Sequence, residues 1–232
     1  SSNHINAMDM EQGYGDGDDP VVLKSEFILS LCEQLMGAGK LSAKEKSIID
    51  RCTALCYHTY IQNGCEGTVP TLRDFHAELL RQPETEATDV ALAIELFTKG
   101  SLNTFAKPTN VDTNSRILCY DIRDLGKQLL PVGMLVVLDS VFNRIVRNRK
   151  LGRNTWVYID EIYLLFQHEY SANFLFTLWK RVRKYGAYAT GITQNVQDCL
   201  TNDTAYAMLA NSEFVVMLRQ TKDIDSVVEL YG

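Results

Sequence analysis

Two adjacent carboxylates follow a short apolar run in the stretch TWVYIDEIYLLF, residues 155–166. Residues 156–159 have the composition of a buried β-strand, and Asp160 and Glu161 come directly after them. An α/β fold binds its ligands at the edge of the sheet where its strands end. One carboxylate there can hold Mg²⁺, and a second can orient and polarise a water molecule. We interpret Asp160 as a magnesium ligand and Glu161 as a general base. An Asp-Glu pair that only begins a loop or caps a helix is the alternative.

A nucleotide site of this kind also needs a phosphate-binding loop of the form G-x-x-x-x-G-K-[ST]. The candidate MGAGKLS, residues 36–42, has Gln34 in place of the first glycine and Leu41 in place of the hydroxyl residue. It also follows a predicted helix rather than a strand. We interpret Gly37 and Gly39 as a turn between two helices. The chain begins without an initiator methionine, and we expect the phosphate-binding loop to lie upstream of it.

A second group of candidates lies in WKRVRKYGAYATGITQN, residues 179–195. Arg183 and Lys184 stand at the predicted end of a helix, and Gln194 stands at the tip of the next predicted strand. Basic residues at a helix C-terminus also simply complement the helix dipole, and a glutamine at a strand end is often only a polar turn residue. The order of Asp-Glu strand, helix, Arg-Lys-x-Gly, strand and Thr-Gln is more specific than any of its parts.

The bulk composition is that of an ordinary globular protein. The chain has 232 residues, a formal net charge of −6, 46% hydrophobic and 22% charged residues. No global basic charge marks a nucleic-acid binder, and no run of about 18 apolar residues predicts a membrane span. Six cysteines form no C-x-x-C pair, which favours a reducing cytosol. Cys52, Cys56 and His58 are close in sequence, but their spacing fits no zinc module.

The predicted secondary structure changes near residue 100. Residues 20–100 predict four helices, with Asp19, Ser42 and Thr71 as N-terminal caps and Gly100 as a stop. After them, strands alternate with helices, which predicts a parallel sheet covered on both faces. The predicted strands are 116–122, 156–160, 187–193 and 213–219; the predicted helices between and after them are 133–150, 171–186, 205–211 and 222–231.

The predicted domain organisation is an α/β core with an insertion. Residues 1–19 and 101–232 form the core, and residues 20–100 form an all-helical subdomain inserted after an early strand, HINAMDM at residues 4–10. Since near-continuous apolar strands need cover on both faces, the helices after residue 100 are expected to pack on the sheet.

The motifs YIDEIYLLF, RKYG and TQN closely resemble the C-terminal ATPase domain of the conjugative-transfer ATPases, the fourth VirB component of type IV secretion systems. These proteins belong to the HerA–FtsK group of RecA-like motor ATPases. The opening HINAMD, the helical insertion and GSLNTFAKPTNVD fit the same pattern, so the resemblance covers essentially the whole chain. It implies a RecA-like P-loop NTPase fold and the use of ATP and Mg²⁺, with no other metal.

The resemblance also implies a role for each candidate residue. Asp160 and Glu161 match the Walker B pair. Arg183 matches the arginine of the R-K-x-G motif, which approaches a nucleotide in a neighbouring subunit and stabilises transition-state charge there. Lys184 is its neighbour and a candidate nucleotide contact. Gln194 matches the sensor glutamine that responds to the γ-phosphate.

The function that the resemblance implies is ATP hydrolysis that drives a conjugative DNA-transfer or type IV secretion apparatus at the cytoplasmic face of the membrane. The implied partners are further copies of the chain, as a dimer or a hexamer-like ring, and membrane-bound components of the apparatus. Without a phosphate-binding loop, this chain alone is expected to be inactive. Arg219, at the end of the last predicted strand, is a weaker candidate than the others.

Two alternatives remain open. One is a DNA-pumping motor of the coupling-protein type, for which the basic end of helix 133–150 would contact phosphates; a solvated helix end explains the same residues. The other is a non-enzymatic scaffold or interaction module of the transfer machine. The basic residues concerned are Arg144, Arg147, Arg149 and Lys150.

Overall fold

The computed structural model describes residues 3–14, 19–37, 39–194, 200 and 202–218. The chain divides into two compact units, Ser1–Leu151 and Gly152–Gly232. The first unit is helical, and the second contains a parallel sheet. The helix-rich fold with a parallel sheet that the sequence predicts is confirmed. The predicted boundary of the inserted subdomain at residue 100 stays a prediction.

Five α-helices lie in the described part of the first unit, and local capping signals set where most of them begin. The side chain of Asp19 accepts from the backbone N–H of Val21 and Pro20 occupies the first position of α1, as predicted. Ser42 and Thr71 open the next helices with reciprocal capping boxes. The helices are α1 Pro20–Met36, α2 Ala43–Gln62, α3 Leu72–Arg81, α4 Thr85–Thr98 and α5 Gly126–Lys150.

Residues 4–10 form a buried loop, so the predicted early strand is wrong. Its backbone groups bind helices and turns instead of a neighbouring strand. The N–H of Ala7 donates to the carbonyl of Phe105 (3.0 Å), and the hydroxyls of Tyr57 and Tyr60 donate to the carbonyls of Met8 (2.5 Å) and Met10 (2.8 Å). A chain whose polar backbone groups are satisfied in this way needs no strand partner.

The predicted strand 116–122 is also wrong. Its residues form bends and irregular backbone, and Ile117 is 86% exposed. Arg144 on α5 donates to the carbonyl oxygens of the preceding residues 113–115, and the Tyr120 hydroxyl lies 2.9 Å from the Ser140 hydroxyl. Side-chain contacts therefore attach the segment to α5. No described strand lies beside it to form a β-ladder.

Helix α5 begins seven residues before its predicted start at 133 and continues across Pro131. The stretch Arg123–Lys150, which includes a preceding 3₁₀ turn, is long and apolar enough to cross a membrane, with a mean hydropathy of 1.7 over its most apolar window. However, 72% of that window is buried inside the protein. This is the burial pattern of a core helix.

The second unit is built on two parallel strands joined by helices. Strand β1 (Thr155–Ile159) pairs with β2 (Ala187–Gly191) in register from the Thr155–Ala187 pair to the Ile159–Gly191 pair. The connection contains α6 (Tyr163–Phe166), α7 (Glu169–Val182) and a 3₁₀ turn (Arg183–Tyr185), and α8 (Asp203–Ala210) follows β2. Gly186 reverses the chain before β2 with a left-handed backbone, as expected for a helix stop.

The two faces of this sheet differ in exposure. Trp156 and Tyr158 on β1 and Tyr188 on β2 lie on one face and are 58%, 67% and 52% exposed. Trp156 stacks on Tyr188, with 5.3 Å between ring centroids. Val157 and Ile159 point to the opposite face and are half-buried.

Residues 214–218 form no strand, so the prediction for 213–219 is wrong over the part that the structure describes. Phe214 is 85% exposed and Val216 is 83% exposed. A strand exists only when a neighbour completes its hydrogen bonds, and β1 and β2 are the only strands among the described residues. Residue 219 and the predicted helix 222–231 lie outside the described residues.

Candidate functional site

The site begins where β1 ends. Asp160 is the first residue after the strand and is exposed, and its Oδ1 accepts the backbone N–H of Glu161 at 3.0 Å. Glu161 is half-buried and has a backbone φ of 49°. This value lies in the left-handed region, which residues other than glycine seldom adopt. This conformation turns the chain sharply, so that the Asp-Glu pair stays at the end of the sheet and α6 can begin at Tyr163.

Glu161 and Gln194 are in direct contact. The side-chain amide nitrogen of Gln194 donates to Oε1 of Glu161 at 2.6 Å, although 33 residues separate them in sequence. The two residues follow neighbouring parallel strands, and the carboxyl ends of such strands meet at one edge of the sheet. The structure thus brings together three of the predicted site residues, Asp160, Glu161 and Gln194, at that edge.

The free oxygens at this edge define what it can do. Oε1 of Glu161 is occupied by Gln194, and its Oε2 has no hydrogen-bond partner among the described residues. Oδ2 of Asp160 also has no hydrogen-bond partner among the described residues. Carboxylate oxygens are the ligands that Mg²⁺ prefers, and an oriented carboxylate with an unused oxygen can accept a proton from water. The donor set therefore fits a magnesium ion and a general base.

Arg183 and Lys184 lie elsewhere on the second unit. Both belong to the exposed 3₁₀ turn that precedes β2, so they stand at the amino end of the strand whose carboxyl end leads to Gln194. The five residues of β2 separate these ends by about 16 Å. Arg183 forms no ion pair within the described part of the chain. It is accessible to another molecule, and it is not part of the Glu161 edge.

The segment MGAGKLS is a turn between α1 and α2, which confirms the interpretation from sequence. Gly37 and Gly39 have positive φ values of 105° and 71°. The first turn of α2 is already capped: Ser42 accepts from the N–H of Glu45, and the Glu45 carboxylate accepts from the N–H of Ser42 at 2.7 Å. A carboxylate at this helix N-terminus occupies a donor and repels a phosphate.

Arg144, Arg147 and Lys150, at the end of α5, have partners inside their own unit that explain their charge. Arg144 donates to the carbonyls of residues 113–115, Arg147 lies 3.9 Å from a carboxylate oxygen of Glu11, and Lys150 donates to Gln12 at 3.2 Å. These contacts attach two loops to α5. A DNA-binding role is therefore not needed to account for the cluster.

The part of the chain that the structure describes contains no group of three side chains able to hold a metal ion. Cys52 is buried and Cys56 half-buried, and burial raises the pKa of the Cys52 thiol to about 11 and that of Cys56 to about 12. Both thiols are therefore protonated at neutral pH.

Sequence reasoning missed Ile162, which directly follows Glu161, and Gly191, which stands three residues before Gln194. A Cβ atom at Gly191 would meet the side chain of Ile162. The GIT triplet after a short apolar strand carried a signal, since glycine inside a strand often marks a close approach of another group. Arg219 lies outside the described residues, so its predicted role stays a prediction.

The parallel strand–helix–strand unit, with its polar residues gathered at the carboxyl edge, is the architecture of an α/β protein that binds its ligands at that edge. Comparison with family models assigns the chain more closely. The model of the TraG P-loop domain family matches residues 102–231, more than half of the chain, and the chain belongs to this family. No curated protein matches the sequence.

The fold is similar to that of one solved protein. The structure of VirB4 of Thermoanaerobacter pseudethanolicus superposes with a TM-score of 0.76 over 98% of this chain, at 19% sequence identity. The chain covers 64% of that protein's chain. At this identity the likeness establishes the fold, and the sequence-based resemblance to the same kind of ATPase is consistent with it.

Proposed function

We propose that this chain is the ATPase domain of a protein that energises a conjugative DNA-transfer or type IV secretion apparatus at the cytoplasmic face of the membrane. Family membership supports an ATPase role in conjugation. The observation that carries the proposal is the 2.6 Å hydrogen bond between Gln194 and Glu161 at the carboxyl edge of two parallel strands. A scaffold without catalytic function has no need of a carboxylate and an amide held together there.

In the proposed mechanism Glu161 is the general base. Gln194 fixes one oxygen of the carboxylate, which leaves Oε2 to orient a water molecule and accept its proton. Asp160 contributes an exposed carboxylate oxygen to magnesium. Mg-ATP, when bound, supplies the phosphoanhydride that water cleaves. Because Gln194 contacts the base directly, a change in its surroundings changes the orientation of the base, which suits a γ-phosphate sensor.

Arg183 is proposed to act on a neighbouring subunit. It is exposed and stands at the amino end of β2, about a strand length from Glu161, so it does not serve the Glu161 of its own protomer. A guanidinium supplied in trans stabilises the charge of phosphoryl transfer. This assignment requires self-association, and Lys184 beside it is proposed as a supporting nucleotide contact.

The test replaces Glu161 by Gln in the full-length protein. Glutamine keeps the shape and removes the base, so nucleotide binding should stay within a few-fold of the original. ATP turnover should fall by about 10²–10⁴-fold, the range of a general base. Phosphate release measures the turnover, and binding of a fluorescent ATP analogue measures the nucleotide affinity. Glu169→Gln, at an exposed carboxylate on α7 in the same unit, is the matched control and should leave both unchanged.

The result separates the alternatives. Turnover that is unchanged in Glu161→Gln removes this residue from the mechanism and favours the scaffold. For a DNA-pumping motor, turnover should rise with added DNA and the rise should disappear at higher salt, because phosphate contacts release counterions. The internal contacts of Arg144, Arg147 and Lys150 weigh against that outcome.

A further inference from the structure

The end of β2 leaves little space for a side chain at Gly191. A Cβ atom at Gly191 would lie 2.7 Å from Cδ1 of Ile162 and 3.4 Å from its Cγ2. Gly191 does not have a positive φ, so its backbone conformation is open to any residue. A side chain at position 191 would therefore have to displace Ile162, and the atom that it meets first is the terminal methyl group of that isoleucine.

Ile162 is also bound through its backbone. It is 5% exposed, and its N–H donates to the carbonyl of Ile192 at 3.0 Å. The N–H of Ile192 donates in turn to the carbonyl of Ile159 at 2.8 Å. These two bonds continue the pairing of β1 and β2 past their last residues and hold the two outgoing chains together.

The same contacts lie next to both polar residues of the edge. Ile162 directly follows Glu161, whose left-handed backbone is unfavourable for a residue with a side chain. Gly191 stands three residues before Gln194, which donates to Glu161. An unfavourable backbone conformation persists only when its surroundings fix it, and the buried Ile162 supplies that restraint.

We propose that Ile162 and Gly191 form a clasp that positions the Glu161 carboxylate against the Gln194 amide. Both are positioning residues that act through Glu161 and Gln194. The proposal rests on the proposed function of Glu161, and it adds that the fit of one methyl group over one glycine sets the geometry of the base. A displacement of about 1 Å at a catalytic group can lower a rate by 10²-fold.

The first test is a rescue experiment in the full-length protein. Gly191→Ala should displace Ile162 and lower kcat for ATP by about tenfold to 100-fold, with little change in KM. Ile162→Val removes Cδ1 and keeps Cγ2, so the double variant Gly191→Ala/Ile162→Val should recover most of the lost kcat. Thr190→Ala, at the exposed neighbouring position on β2, is the control and should behave like the original protein.

The second test reads the contact itself. In the ¹⁵N-labelled chain, the side-chain amide signals of Gln194 should be shifted relative to those in Glu161→Ala, because the Glu161 carboxylate accepts one of the amide protons. Gly191→Ala should abolish this shift, and the double variant should restore it. If Gly191→Ala does not fold, recovery of the fold and of the shift in the double variant supports the clasp, and failure to recover them overturns it.

The outcomes distinguish the clasp from the proposed function. If Gly191→Ala keeps both the original kcat and the Gln194 shift, the clasp is overturned. If the shift is lost and rescued while Glu161→Gln has no effect on turnover, the clasp stands and the catalytic role of Glu161 fails. A loss in Gly191→Ala that Ile162→Val does not rescue shows that another contact excludes the side chain, which also overturns the clasp.

Discussion

The ammonium nitrogen of Lys24 lies 2.5 Å from Oδ2 of Asp139, and both side chains are almost completely shielded from water, at 0% and 3% exposure. Lys24 also donates to the carbonyl of Asp9 at 2.7 Å, and Tyr14 donates to the other oxygen of Asp139. Burial raises the pKa of Asp139, and the nearby Lys24 opposes this rise. The pair joins α1, α5 and the N-terminal loop at one buried point.

Removing one partner of this pair should be strongly destabilising. Lys24→Met leaves Asp139 buried without its counter-charge, which typically costs about 3–5 kcal/mol. Urea unfolding at neutral pH measures the loss. Because burial raises the pKa of Asp139, the loss should shrink at acid pH, where the carboxyl group is neutral.

The control for this change is Lys44→Met, which removes an exposed ion pair with Glu86 (3.1 Å). Exposed pairs contribute about 0–1 kcal/mol. A Lys24→Met effect no larger than that of Lys44→Met would show that the buried pair is dispensable. Replacing both Lys24 and Asp139 by apolar residues should recover part of the stability lost in the single variant.

Buried thiols predict a loss of stability in alkali. Burial raises the pKa of Cys32 to about 12 and that of Cys52 to about 11, from a usual value of 9.0. Above pH 9 the unfolded chain releases these protons and the native chain keeps them. The free energy of unfolding should therefore fall as pH rises from 9 towards 11, by about 1.4 kcal/mol per pH unit for each thiol.

The measurement compares denaturant unfolding at pH 8 and pH 10.5 in two variants. Cys32→Ala should show a smaller fall than the original protein, since one of the protected thiols is gone. Cys119→Ala removes an exposed thiol and should not alter the fall. Equal falls in all three proteins would mean that these thiols ionise alike in the native and unfolded states.

Capping explains why the helices of the first unit could be predicted well from sequence. Asp19 and Ser42 accept from backbone N–H groups two or three residues away, and the Asp74 carboxylate accepts from the N–H of Thr71 three residues before it, so these signals need no knowledge of the rest of the fold. The strand predictions at 4–10, at 116–122 and over the described part of 213–219 failed for the opposite reason. An apolar run becomes a strand only beside a partner, and sequence composition does not show whether the partner is there.

The candidate site was accessible to sequence reasoning only in part. That the residues after β1 and β2 lie together follows from the geometry of parallel strands, so the closeness of Glu161 and Gln194 could be expected. The left-handed backbone of Glu161 could not be expected from the sequence, because glutamate has no preference for that conformation. Ile162 over Gly191 is a packing contact between distant segments, and only the folded chain shows it.

Arg183 should act between subunits. Arg183→Ala should lower ATP turnover of the assembled full-length protein by about 10³-fold or more, the range of an arginine finger, without impairing the folding of its own unit. Mixing Arg183→Ala subunits with Glu161→Gln subunits should restore part of the activity. Some interfaces in the mixed assembly then combine an intact base with an intact arginine.

Phosphate release from the mixture, compared with each variant alone, is the measurement. Arg183→Lys is the matched control; it keeps the charge but loses the planar fork, and it should recover only part of the activity. If mixing restores nothing although mixed assemblies form, Arg183 acts within its own subunit or not at all.

The 232-residue chain alone should bind Mg-ATP poorly and hydrolyse essentially none. It contains no G-x-x-x-x-G-K-[ST] segment, and the backbone N–H groups and lysine of that loop supply most of the grip on a triphosphate. Without them, Asp160 and Glu161 present two carboxylates to a polyanion. Titration calorimetry with Mg-ATP should show no micromolar binding.

A micromolar dissociation constant for this chain would reveal a phosphate site outside the predicted one. MGAGKLS would then be the segment to change first, with Lys40→Ala. Lys46→Ala serves as the control, because Lys46 lies nearby but pairs with Glu33 at 2.7 Å. Binding lost only in Lys40→Ala would show that the turn before α2 opens to accept phosphate.

The left-handed backbone at Glu161 creates a trade-off between stability and the proposed catalytic activity at a single residue. Glycine or asparagine adopts φ near 49° with less strain, so selection for thermal resistance alone would favour replacing the proposed base. Proteins usually have only a modest margin of stability, and residues that work against it are kept where function requires them. Efforts to raise the thermal stability of this domain by consensus design or directed evolution should therefore keep Glu161 unchanged. A replacement by glycine or asparagine would relieve the backbone strain and remove the proposed base.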